Sequence, residues 1–140
     1  MNENEFEMAT PVVISPVPID INDIQIDNKE TVINAYLVVH KYPSVEMVEG
    51  VILVIDFNDY ATPRPHVWNK LDDIHFDVTS EKGWPKNGEL NEAKSIRYFS
   101  VRTHKKSDFA YNNVFEYCYA TLQNIAAIND ALVNNQLSKN

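Results

Sequence analysis

The sequence predicts an α+β fold: a mainly antiparallel sheet of five or six strands with one long C-terminal helix packed on it. Three observations carry this expectation. Short runs rich in Val, Ile, Leu and Tyr recur between Pro, Asn and Asp clusters. One run, 51–57, is Val, Ile and Leu almost throughout, as a buried strand requires. From 109 to 134 no Gly or Pro intervenes, and Tyr111, Phe115, Cys118, Leu122, Ile125, Asn129 and Leu132 recur at spacings of three and four. With 140 residues the chain has the size of one domain. A domain of that size buries roughly two-thirds of its unfolded surface, enough for a core without staples.

In chain order, residues 1–10 read as a flexible acidic tail and 11–140 as a single domain. Pro11, Pro16 and Pro18 break the next stretch. Proline cannot donate to a ladder, so this segment is an edge strand or an extended arm. Apolar residues alternate at Val17, Ile19 and Ile21, then slip phase to Ile24 and Ile26. A bulge or turn at Asn22-Asp23 would produce that slip. Asp27-Asn28-Lys29 is a turn by composition.

Residues 31–42, rich in Val, Tyr and Leu, read as a strand, joined by a wide loop to the strand at 51–57. Residues 58–65 read as a loop holding Pro63 and Pro65. His66-Val67-Trp68 and 74–78 read as short strands, 81–91 as a loop and 95–103 as the final strand. Ser107 or Asp108 would cap the long helix that follows.

Charge is divided unevenly. Residues 1–60 hold eleven acidic and two basic side chains, and 61–140 hold nine and ten, so the halves stand at −9 and +1 within a net charge of −8. An acidic chain is a poor ligand for a phosphate backbone. The aromatic and basic cluster of Arg97, Tyr98, Phe99, Arg102, His104, Lys105 and Lys106 therefore suits an acidic protein surface better than nucleic acid. The first eight residues lack the basic and apolar regions of a secretory signal. The expected location is accordingly the cytoplasm or the interior of a virion.

No cofactor is expected: three glycines in the whole chain leave no phosphate-cradling loop. The best group of metal-type side chains is His66, His75 and Asp77. Alternation places His75 and Asp77 on one strand face, opposite Ile74, Phe76 and Val78. A solvated strand face beside the acidic Asp72-Asp73 turn explains the same residues without metal. Cys118 lies on the apolar stripe with no basic neighbour one turn away, so it reads as a small hydrophobe. Asn129 also falls on the stripe, where a buried amide needs a partner.

The run 51–57 followed by Tyr60, Ala61, Thr62, Pro63, Arg64, Pro65, His66 and Val67 resembles the strand, proline loop and strand of the ubiquitin-conjugating core. The resemblance spans under twenty residues and departs at that family's first proline. No cysteine follows where the family places its nucleophile, so it implies a non-catalytic relative.

These features predict non-catalytic protein–protein interaction. The expected role is an assembly subunit, such as a structural component of a phage-like particle, bound to other protein subunits as a homo- or hetero-oligomer. The expected interface residues are Arg97, Arg102, Lys105, Lys106, Tyr111, Tyr117 and Asn129. Two alternatives are an acidic immunity or inhibitor protein that neutralises a basic partner, and a small metal-dependent hydrolase using His66, His75 and Asp77.

Overall fold

The structure is a computed structural model, and it describes residues 10–106. In chain order it contains β1 (Thr10–Val12), α1 (Thr31–Lys41), β2 (Glu46–Ile55), β3 (Ala61–Leu71), β4 (Ile74–Phe76), α2 (Val78–Lys82) and β5 (Ser95–His104). The strands form one five-stranded sheet in the order β1-β5-β2-β3-β4, every neighbouring pair antiparallel.

This corrects the expected fold class. Among the described residues the sheet is accompanied by two short helices, α1 and α2, and both contribute to the core beside it. The expected long helix at 109–134 lies outside the described residues. So do the predicted interface residues Tyr111, Tyr117 and Asn129.

The segment read as a strand at 31–42 is α1 and a residue beyond it. Its buried positions are Val32, Asn34, Ala35, Val38 and Val39, spaced as one helix face requires. Local signals oppose the helix: it is rich in β-branched residues, and Glu30 at its N-cap makes no side-chain capping bond. Tertiary contacts compensate. Asn34 accepts from the Asp27 backbone N–H at 3.0 Å and donates to the Asp27 carbonyl at 2.6 Å and to Thr79 Oγ1 at 2.9 Å. One buried amide thus ties α1 to the turn before it and to α2. The apolar face packs against Val45, Met47, Val67, Phe76 and Val78.

The expected loop at 58–65 is also shorter than predicted, because β3 begins at Ala61 and runs through both prolines. Pro63 lies opposite Leu53 and Pro65 opposite Val51. The two prolines share a parity, so their missing donors face the same edge. β4 pairs with β3 only from Asn69 to Leu71, so that edge is unpaired where the prolines stand. The strand, proline loop and strand pattern of the ubiquitin-conjugating core is therefore not built here.

Residues 10–26 wrap the sheet. Val12 pairs with Tyr98 on β5, while Ile14 forms a parallel bridge with His75 on β4, and Ser15 N–H donates to the His75 carbonyl at 2.8 Å. In a flat sheet, Val12 and His75 would stand four strand spacings apart, about 19 Å. The chain from Val12 to Ile14, plus one bridge, spans only about 12 Å. The sheet must therefore curl until its outer strands meet. A register shift between Glu49 and Gly50 aids the curl: Glu49 faces Arg102 and Gly50 faces Ser100, leaving Val101 as an extra residue. The predicted phase slip at 22–23 is a turn, closed by Ile24 N–H donating to the Ile21 carbonyl and Asn22 N–H to Asp20 Oδ1. Beyond β1, Val17, Ile19, Ile21, Ile24 and Ile26 pack on the α1 side.

Inside the curl, Val48, Ile52, Val54, Trp68 and Tyr98 form a second core with Val12, Ile14, Leu90, Ala93 and Ile96. β2 runs between the two cores and is buried along nearly its whole length. Gly50 is required at its centre: a Cβ there would lie 2.2 Å from the Phe99 carbonyl and 2.4 Å from Trp68 Cη2. Gly50→Ala is expected to destabilise the fold by roughly 2–3 kcal/mol, read from the urea midpoint at unchanged slope.

Candidate functional site

Where Gly50 leaves space, β3 and β5 bring their side chains together across β2. His66 lies opposite Gly50 on one side, and Tyr98 lies opposite Ile52 on the other. Asp77 arrives from a third direction, as the N-cap of α2. Its Oδ1 accepts from the backbone N–H groups of Thr79 at 3.1 Å and Ser80 at 3.3 Å. Its Oδ2 lies 2.8 Å from His66 Nε2 and accepts from the Tyr98 hydroxyl at 2.7 Å. One carboxylate thereby joins β3, α2 and β5.

Aromatic rings surround this centre. His66 stacks near Trp68 with centroids 6.2 Å apart, and meets the edges of Trp84 at 5.7 Å and Tyr98 at 5.9 Å. Trp68 and Tyr98 pack edge to face at 5.2 Å. The Trp68 indole N–H donates to His75 Nδ1 at 3.0 Å. Neutral His75 therefore carries its proton on Nε2.

The electrostatics follow the geometry. Burial would raise the Asp77 carboxyl. Electrostatic attraction to the His66 imidazole and hydrogen bonds from His66, Tyr98 and Ser80 outweigh burial, so it titrates below its ordinary value. Tyr98 is pushed far above its usual range by burial first, then by the Asp77 charge it faces. His75 is lowered from 6.5 by burial and by Lys70, with Asp73 opposing.

A second buried pair sits at the bulge. The Glu49 carboxylate contacts His104 Nε2, both residues being almost fully enclosed. The sequence placed His104 in a basic surface cluster, and the structure corrects that. Of the expected interface residues, Arg97 is exposed over the Phe99 ring, Arg102 is half-buried, and Lys105 and Lys106 are exposed. Arg102 and Lys105 are each engaged within the molecule.

His66 and Asp77, two of the three metal-type candidates, do meet directly. His75 instead bonds Trp68. Among the described residues no group of three or more His, Cys, Asp or Glu side chains is placed to hold a metal ion. The sequence reading missed Tyr98, Trp68 and Trp84, which complete the cluster. The chain matches no family model, no curated protein and no solved structure.

A histidine, a carboxylate and a phenol in contact are the parts of an acid–base relay. Here the His66 and Asp77 side chains are 3% and 1% exposed, and Tyr98 lines a groove along β1. The shared carboxylate braces β3, α2 and β5 against one another. Asp77→Asn is expected to cost about 3 kcal/mol and Tyr98→Phe about 1 kcal/mol in urea unfolding. Because Asp77 titrates below its unfolded value of about 3.9, its contribution is complete above that pH and is lost as pH falls through the folded value. Acid unfolding of the wild type should therefore steepen below about pH 4, and Asp77→Asn should flatten that dependence. His75 should titrate below 6.5 in histidine NMR spectra. Its contribution is likewise present above that value and lost on acidification.

Proposed function

We propose that this chain is a non-catalytic protein-interaction domain that binds a partner with a basic surface. One observation carries the reading: His66 and Tyr98 both bond the Asp77 carboxylate inside the curled sheet. A net charge of −8 would steer the domain to a basic partner and repel its own copies.

The wrapped segment is part of the fold: residues 12–26 bury Val12 and Ile14 in one core and Val17, Ile19, Ile21, Ile24 and Ile26 against the other. Releasing them would expose both. A subunit of a phage-like particle is the second reading, favoured by the unequal charge of the two halves of the chain. Either role would place the protein in the cytoplasm or within a virion.

Light scattering at low and high salt separates the two. The binder is expected to be monomeric at every salt, whereas an assembly subunit would form salt-sensitive oligomers. Metal analysis of the purified protein tests the non-catalytic reading itself. Less than stoichiometric metal is expected. One bound divalent ion per chain, lost on His75→Ala, would overturn the proposal in favour of a metal-dependent hydrolase.

A further inference from the structure

Four large apolar side chains are exposed among the described residues: Val13 at 85%, Phe57 at 77%, Tyr60 at 72% and Ile74 at 42%. Phe57 and Tyr60 share the tip of the β2–β3 hairpin. A cleft of about 410 Å³ opens beside that tip, lined by Asp56, Phe57, Glu89 and Glu92 over a floor of Val54, Thr62 and Ala93. The Phe57 ring thus lines a cleft with three carboxylates, and Tyr60 stands exposed on the same tip.

The tip is held in shape. Asp56 Oδ1 accepts from the backbone N–H groups of Asn58 at 2.8 Å and Tyr60 at 3.0 Å, and Asp56 N–H donates to the Tyr60 carbonyl at 3.0 Å. Asp59 takes a left-handed φ of 66° and pairs with Lys94 at 2.7 Å. A rigid loop presenting aromatics loses little conformational entropy on binding, which is the property of an anchor. The nearby Arg64–Glu89 pair, at 2.9 Å, is half-exposed on both sides and opens at little cost.

The geometry points to this hairpin tip and its cleft as the docking surface for a basic, partly apolar segment of another protein. The inference rests on the interaction-domain reading and names its surface and partner chemistry. Apolar side chains of the segment cover Phe57 and Tyr60, and its Lys or Arg residues face Glu89, Glu92 and Asp56. Charge selects this surface over the groove of about 450 Å³ along β1. That groove carries one charged side chain, Arg97, whose sign is opposite to that of the chain as a whole.

The test uses two fluorescent peptides of equal length and charge, one alternating Lys with Leu and the other Lys with Ser. Fluorescence anisotropy should show the Lys–Leu peptide binding the full chain roughly tenfold tighter than the Lys–Ser peptide. The Phe57→Ser/Tyr60→Ser variant should abolish that preference. Glu89→Gln/Glu92→Gln should weaken both peptides by roughly fivefold or more. Asp72→Asn/Asp73→Asn, which removes two charges from the β3–β4 turn, should change either by less than about twofold. Equal affinity for the two peptides would overturn the surface, as would no binding or equal weakening by the Asp72/Asp73 variant. Amide shift mapping of the Lys–Leu complex must centre on 56–60 and 89–93. Shifts centred elsewhere would overturn this surface and leave the interaction-domain reading standing, since that reading falls by the metal analysis above.

Discussion

The Asp77 carboxylate is the point on which the described fold depends. It satisfies the first turn of α2 with one oxygen and joins β3 to β5 with the other. A buried carboxylate without partners would carry a desolvation penalty of several kcal/mol. Here each oxygen is matched by donors, so burial becomes specificity: His66 and Tyr98 must be placed together or the charge is stranded. Gly50 leaves room for the Trp68 ring, which packs on both His66 and Tyr98, and the bulge beside it turns the sheet so that residues 12–15 can join its two outer strands. Turn, bulge, glycine and carboxylate are therefore parts of one solution.

That solution also bears on function. A relay built for catalysis needs a face open to substrate, with a group poised near the working pH. The Tyr98 hydroxyl is driven away from that range, and Asp77 is held charged by its partners. On the proposed reading the interior serves stability, and recognition falls to the surface, where the β2–β3 turn shows aromatic rings to solvent on a braced backbone. In that reading the interior would hold the tip at a fixed angle for docking.

Much of this architecture was legible where the signal was local. The strand cores at 51–55 and 95–103 and the turns near Asp20 and Asp27 follow from alternation and turn chemistry, whereas the strand read at 74–78 ends at Phe76 and gives way to α2, with Asp77 as its N-cap. α1 was not legible from propensity. Its Val, Thr and Ile content argues for a strand, and only Asn34 and the packed face at Val32, Ala35, Val38 and Val39 make it a helix. β3 was shortened in the reading because prolines signal a loop, whereas an unpaired edge tolerates them. The cluster was half visible. Asp77 could be paired with a histidine by type, but its meeting with His66 and Tyr98 depends on register across three strands. No spacing within the chain encodes that register. His104 was misplaced for the same reason, since its partner Glu49 lies on another strand.

The most direct test of the Asp77 junction is a double-mutant cycle between His66→Gln and Tyr98→Phe, with unfolding free energy as the readout. Both side chains address one carboxylate oxygen. The account predicts that their effects on stability are strongly non-additive, with a coupling of about 1 kcal/mol or more. Effects that sum to the double variant within about 0.3 kcal/mol would contradict it, because His66 and Tyr98 would then be acting independently of a shared centre.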